Sequence, residues 1–485
     1  MGSRVETLIR AGVTKGIEAV AAFNRARLPQ PADPHPFLTG IHAPMERELT
    51  LAELAVTGTI PAALNGRYMR IGPNPLDADP ASYHWFVGDG MVHSLAIENG
   101  RALGYRNRWI RSNAVAQALG TPPTPGPRHG SFDTVNTNVV DVAGRSFALV
   151  EAGSFPVELS ETLDAQSYNP FDGTLKGSFT AHPHRDPLTG EQHAICYEAT
   201  DPGTIRHLVL DPQGKVVREQ PIAVRQGPMI HDCAITARYV VILDLPVTFS
   251  MKTLIAGHPF PYRWNSDHPA RIGLMPRGGG EGDILWCAME QAFAFHVANA
   301  HDLPDGRLAL DLCAYDTMFV GDRGGPDARS RGLERWTVDP VTRTVAIRAI
   351  DPAPQEFPRI DERRFGQPYR YAYTMALPTE AEDRFVGATA LYRHDLEQGT
   401  RQVHGFGPGR HPGEFVFVPA GVDSAEGEGW LMGLVVDQKT ETTDLVILDA
   451  MAFEDAPVAS IHIPHRVPPG FHGNWFASPS AISSI

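Results

Sequence analysis

From about residue 60 onward, β-branched and aromatic residues fall in short runs that end at turn-forming pairs. Leu95-Ala96-Ile97-Glu98-Asn99-Gly100-Arg101, Val139-Val140-Asp141-Val142-Ala143-Gly144-Arg145 and Leu208-Val209-Leu210-Asp211-Pro212-Gln213-Gly214 share this form. Related units are Trp336-Thr337-Val338-Asp339-Pro340-Val341-Thr342, Tyr392-Arg393-His394-Asp395 with Gly399, and Leu445-Val446-Ile447-Leu448-Asp449. Strand-forming residues beside an Asn-Gly, Asp-Pro or Gly-containing turn predict β-hairpins. Hairpins repeated to the C-terminus, with few helical periods between them, predict an all-β fold. A β-propeller or a large sandwich fits better than an α/β architecture. The repeats are too divergent to number the blades from their pattern.

The N-terminal segment follows a different period. Val5, Leu8, Ile9, Val13, Ile17 and Val20 recur at helical spacing, with Arg4, Arg10, Lys15, Arg25 and Arg27 among them. Such a helix either lies on a membrane surface or packs its apolar stripe on the body of the protein. Pro29-Gln30-Pro31 ends it, dividing the chain into a helix and linker (1–30) and a single β-domain (31–485).

Composition narrows the function. The chain has 485 residues, and 42 Lys and Arg against 56 Asp and Glu give a net charge of −14. An acidic chain without a long basic run is not expected to bind nucleic acid. The 46 Gly and 42 Pro are dispersed, as turns between strands require. Cys196, Cys233, Cys287 and Cys313 form no CxxC pair and read as buried free thiols in a reducing cytosol. No signal-peptide pattern and no long apolar run is present, so a cytoplasmic protein with at most peripheral membrane contact is expected.

Four of the 20 histidines lie in settings unusual for a solvated imidazole. They are His182 after Phe179-Thr180-Ala181, His231 after Pro228-Met229-Ile230, His296 after Phe293-Ala294-Phe295, and His472 within Gly470-Phe471-His472-Gly473-Asn474-Trp475. Each is a metal ligand or a hydrogen-bonded core histidine. Their long, irregular spacing excludes a zinc finger or an HExxH site, and neutral nitrogen donors suit iron, copper, zinc or nickel. Three carboxylates border apolar runs: Glu151 after Phe147-Ala148-Leu149-Val150, Glu356 before Phe357-Pro358, and Glu414 before Phe415-Val416-Phe417-Val418. A ligating imidazole needs an acceptor for its second N–H, and a carboxylate commonly serves. The alternative is a strand-end glutamate facing water.

Taken together, these segments resemble the carotenoid cleavage oxygenase family. The resemblance is carried by Asn65-Gly66-Arg67-Tyr68-Met69-Arg70-Ile71-Gly72-Pro73-Asn74-Pro75, His84-Trp85-Phe86-Val87-Gly88-Asp89-Gly90-Met91-Val92-His93, Asn136-Thr137-Asn138, Glu356-Phe357-Pro358-Arg359-Ile360 and Phe471-His472-Gly473-Asn474-Trp475. It implies a seven-bladed β-propeller capped by loops and short helices, with one Fe(2+) per chain on the propeller axis. By the same resemblance the ligands are His182, His231, His296 and His472. Glu151, Glu356 and Glu414 orient three of them, leaving His182 without a glutamate. Thr137 matches the position that crowds the open coordination site.

The implied reaction is cleavage of a conjugated C=C bond by O2, giving two carbonyl products. Four neutral imidazoles leave the metal its full charge, unlike sites with a ligating carboxylate. The family's stilbene cleavers carry a lysine immediately before the first glutamate, where this chain has Val150. A carotenoid or apocarotenoid is therefore the expected substrate, with a stilbene or phenylpropene as the alternative. A metal-free binding propeller and a retinoid-type isomerohydrolase are the competing classes.

Overall fold

The computed structural model describes residues 16–130, 132–321, 324–379 and 387–478. The fold is all-β and propeller-like, with short helices between strands. The predicted hairpins form. Strands Gly90–Glu98 and Arg101–Trp109 meet at Asn99 and Gly100 (φ 51° and 71°), and Asn138–Val142 and Arg145–Leu149 meet at Ala143 and Gly144 (φ 54° and 78°). Left-handed backbone at both central positions matches the right-handed strand twist. At the Asp-Pro turns the aspartate supplies the acceptor: Asp211 Oδ1 takes the N–H groups of Gln213 (3.0 Å) and Lys215 (2.9 Å).

The described strands form sheets of five, four, eight, six, four and four strands, with one two-stranded ribbon. The eight-stranded sheet contains two successive antiparallel meanders joined by the single parallel pair Ala288–Thr344. The first sheet is closed by the end of the chain: Gly473–Ala477 pairs with Gly66–Pro73. Burial runs in a gradient that explains the sequence pattern. Phe293–Asp302 and Leu308–Tyr315 are buried almost throughout and read as continuous apolar runs. Farther out, Thr344–Asp351 and Val216–Ala223 alternate or face solvent.

One edge strand of each meander matters most: Asn138–Val142, His184–Arg185, Cys233–Ile235, Phe293–Asp302, Gln355–Ile360, Val416–Pro419 and Gly473–Ala477. Most successive members touch one another, and the last returns to the first. These edges therefore surround a common axis.

Residues 16–25 are helical, as the N-terminal periodicity predicts. Val5, Leu8, Ile9 and Val13 of the expected stripe lie outside the described residues. Ala21 is buried, Asn24 Nδ2 donates to the Ile255 carbonyl (2.6 Å), and Arg25 Nε donates to that of Gly257 (2.9 Å). Val20 and Phe23 are exposed, as are Met251 and Ile255. The helix thus docks on the body and still presents apolar side chains. Among the described residues, no helix is long and apolar enough to cross a membrane.

Candidate metal centre

The axial edge strands deliver the site residues. His182 lies just before His184–Arg185, His231 just before Cys233–Ile235, and His472 abuts Gly473–Ala477. His296 lies inside Phe293–Asp302, where the ladder slips between Ala294 and Val297. Such an irregularity re-aims a side chain. All four histidines are buried, and one nitrogen of each lies within 4.8 Å of the others.

Three imidazoles are held from behind. His231 Nδ1 is 2.9 Å from Glu151 Oε2, His296 Nδ1 is 2.6 Å from Glu356 Oε2, and His472 Nδ1 is 3.0 Å from Glu414 Oε1. A carboxylate accepts only, so each Nδ1 carries the proton and each Nε2 presents a lone pair. His231 Nε2 and His296 Nε2 stand 3.2 Å apart, and buried His182 Nε2 has no hydrogen-bond partner. Lone pairs turned toward one another in a buried space repel unless a cation or proton lies among them. The donor set fits a transition metal. No carboxylate bonds His182 among the described residues, as the family resemblance implies.

The carboxylates are themselves tied down. Glu356 accepts from Tyr315 Oη (3.0 Å) and from the Phe357 N–H (2.5 Å). Phe357 has φ 50°, and the ladder is interrupted between Glu356 and Arg359. This left-handed backbone is unusual for an aromatic residue and costs of order 1–3 kcal/mol. It lays the Phe357 ring on His296 (5.0 Å, 24°) and beside His472 (5.2 Å). Glu414 accepts from Gly473 N–H (2.9 Å) and faces Arg359 (3.4 Å), whose other partners are Asn474 (2.6 Å) and Glu362 (2.7 Å). Tyr197 hydrogen-bonds Glu151.

The electrostatics follow from burial and these pairs. Burial would raise the Glu414 carboxyl, but Arg359 and His472 outweigh it and hold it down at about 2. Burial keeps His182 well below the usual imidazole range, and the neighbouring imidazoles add to this. His472 is lowered by burial against the pull of Glu414. At His296 burial also acts downward, yet Glu356 prevails and raises it. A proton and a metal ion therefore compete for His296.

Thr137 is buried at the start of the first axial strand. Its hydroxyl donates to Asn136 Oδ1 (2.9 Å), and its carbonyl accepts from the His472 N–H (3.1 Å). Val150 packs in an apolar cluster with Val135 and Val157 and lines neither cavity beside the site. The sequence reading assigned no role to Asp232. Its Oδ1 is 2.7 Å from His184 Nε2 and accepts from Cys233 N–H (2.7 Å), and its Oδ2 accepts from Val297 N–H (2.8 Å). It thereby ties together the segments bearing His182, His231 and His296. Its place directly after His231 was the available signal.

One cavity adjoins the centre, and a second lies beyond a layer of aromatic rings. A cavity of about 610 Å3 reaches His182, His296 and His472 along a polar wall that includes Asp232, Arg359 and Arg67. On another side the rings are aromatic: Phe295 meets His231 edge-on at 5.3 Å, and Phe86 and Phe319 lie 5.7 and 5.9 Å from Phe295. Phe319 also lines a second cavity of about 780 Å3, beside Phe260, Tyr262 and Leu28.

Comparison with known proteins gives four relevant likenesses. A family model described as retinal pigment epithelial membrane protein matches residues 42–477. The chain is 41% identical to a carotenoid cleavage oxygenase of Mycobacterium tuberculosis, over 91% of this chain and 97% of the relative. Among solved structures, Pseudomonas brassicacearum lignostilbene dioxygenase aligns with TM-score 0.83 at 27% identity, over 93% of this chain and 100% of that one. Cobalt-substituted Synechocystis apocarotenoid oxygenase aligns with TM-score 0.78 at 29% identity, over 90% and 97%.

Proposed function

The chain belongs to the carotenoid cleavage oxygenase family, and we propose that it splits a conjugated C=C bond of a carotenoid or apocarotenoid with O2, giving two carbonyl products. The observation that carries this reading is the convergence of four buried imidazoles, three of them backed by carboxylates. His182, His231, His296 and His472 hold one iron(II) per chain. Bound there, iron supplies activation of O2 toward the alkene. Glu151, Glu356 and Glu414 fix the tautomer and direction of three imidazoles. Thr137 borders the open side, and the Phe295, Phe86 and Phe319 rings exclude water and hold an apolar chain beside His231.

Residues 31–485 form the catalytic unit, with seven blades. Counting the two meanders of the eight-stranded sheet separately, and setting the two-stranded ribbon aside, the five other sheets bring the total to seven. A stilbene is the second reading, favoured by the likeness to lignostilbene dioxygenase. The chain has no amine at position 150 to meet a phenolic hydroxyl, and the Val150 side chain itself lines neither cavity. Purified protein loaded anaerobically with iron and offered a panel of polyenes and hydroxystilbenes decides between them. Loss of polyene absorbance without stilbene cleavage supports the first reading, and the reverse supports the second.

Substrate arrives from a membrane or another apolar carrier. Val20 and Phe23 are exposed on the N-terminal helix and Met251 and Ile255 on the segment it bonds through Asn24, and the second cavity's wall includes Leu28 and Thr253. Residues 1–28 carry five Lys and Arg against two Asp and Glu, suited to an anionic surface. Deleting residues 1–28 is expected to reduce liposome co-sedimentation while sparing cleavage of detergent-solubilised apocarotenoid. Undiminished co-sedimentation would refute the anchor.

A further inference from the structure

The cavity that reaches the centre is the space enclosed by the axial strands. Its wall takes Asn138 and Val140, His184, Val297, Arg359 and Asn474 from five different strands of that set. His182, His296 and His472 form its inner end, and the exposed Asp141, Glu161, Arg185 and Glu362 form its rim. A lumen of about 610 Å3 therefore joins solvent to three of the four histidines. Six carboxylates line it against three arginines, Arg67, Arg185 and Arg359. Two of the six stand deep inside: Glu414, bonded to His472 at 3.0 Å, and Asp232, 2.7 Å from His184 Nε2. The opposite approach is closed to charge. Phe295 meets His231, Phe86 and Phe319 pack on Phe295, and Phe260 packs on Phe319 at 4.8 Å. A dication would have to shed its water to cross such a layer, with nothing there to replace it.

We propose that this polar lumen is the path by which a hydrated divalent metal ion enters and leaves the four-histidine centre. The proposal rests on the reading of those histidines as metal ligands. It gives the lumen a role apart from an apolar substrate, for which its charged wall is unsuited. His182 stands at the inner gate. It is the least buried of the four imidazoles, and no carboxylate holds it among the described residues. Turning it aside opens the centre to the lumen while the three glutamate-backed imidazoles stay in place. The excess of carboxylates along the wall concentrates cations there, as a cleft lined by one sign of charge does.

The test follows Co(2+) into and out of the full-length protein. Uptake by metal-free protein is read from the visible absorbance of bound cobalt, release from its transfer to excess chelator, and Kd from equilibrium dialysis. A path serves entry and exit alike, so narrowing it slows both and leaves Kd unchanged. Val140→Trp sets a large ring in the lumen at a residue that bonds no ligand. It should slow uptake and release each by about tenfold or more, with Kd within about twofold of wild type. Glu161→Arg reverses a charge at the rim and should slow uptake about two- to threefold at low salt, an effect that vanishes at high salt. Wild-type exchange rates in Val140→Trp would overturn the proposal, as would a weakened Kd without slowed release, which marks damage to the ligands. If Val140→Trp does not fold, Glu161→Arg decides, and uptake equal to wild type at low salt would overturn the proposal. Wild-type protein that takes up no Co(2+) would overturn the four-histidine reading together with this one, whereas uptake at rates neither variant changes overturns this one alone.

Discussion

Replacing Glu414 by glutamine removes one charge while keeping the shape, and the structure sets the size of the effect. The carboxylate accepts from His472 Nδ1 through Oε1 and from Gly473 N–H through Oε2, and it faces Arg359. An amide offers one acceptor, so one of the two N–H donors is left against an NH2 group, costing about 1–3 kcal/mol. The loss of charge is not additional to this, because the carboxyl's depressed value already includes the His472 and Gly473 hydrogen bonds. The carboxyl is held at about 2 against an ordinary 4.5, and a shift of that size corresponds to about 3 kcal/mol. Because the folded value is the depressed one, this stabilisation is fully present above pH 4.5 and is lost as pH falls toward 2. Glu414→Gln should therefore lower the stability of metal-free protein by about 3 kcal/mol at pH 7 and by progressively less in acid. Bound metal should be lost roughly 10–100-fold more readily, because His472 loses its acceptor. Denaturant unfolding across this pH range and chelator competition at pH 7 measure the two effects. Equal stability at pH 7 together with unchanged metal retention would refute the reasoning.

Two more outcomes follow from the same geometry. His182→Ala removes the imidazole that has no glutamate behind it and should abolish metal binding while leaving the β circular dichroism intact; near-normal metal content would remove His182 from the ligand set. Asp232→Asn sets an amide NH2 against the Val297 N–H and should cost about 1–3 kcal/mol. It should also loosen metal retention, since Val297 adjoins His296, and equilibrium dialysis against a chelator would expose an unaffected site.

Much of the site was legible because burial of polar residues leaves a mark in the sequence. His296 follows a short apolar run and Glu414 precedes one because the strands Phe293–Asp302 and Val416–Pro419 are buried on both faces, while His182 and His231 follow buried segments just ahead of their strands. The hairpins were legible from local turn chemistry, as Asn99-Gly100 and Asp211-Pro212 show. What brings the four histidines together is register over long separations, and no local pattern encodes it. The family resemblance supplied that step, along with the expectation that glutamates back every imidazole except His182. Tyr315 illustrates the remainder: it reaches Glu356 only because Leu308–Tyr315 pairs with Phe293–Asp302 in one particular alignment. Beyond the place of Asp232 directly after His231, its role and that of the Phe357 backbone were not legible for a similar reason, since they arise from interrupted ladders and contacts between strands. Val150 was a useful clue in the sequence, yet its side chain packs among its neighbours and not toward the cavities.

The central claim is tested most directly by the masses of the products formed when iron-loaded enzyme meets an apocarotenoid under O2. The account predicts two carbonyl fragments whose masses together equal substrate plus one O2. Recovery of an isomer or alcohol with the carbon skeleton intact would contradict it.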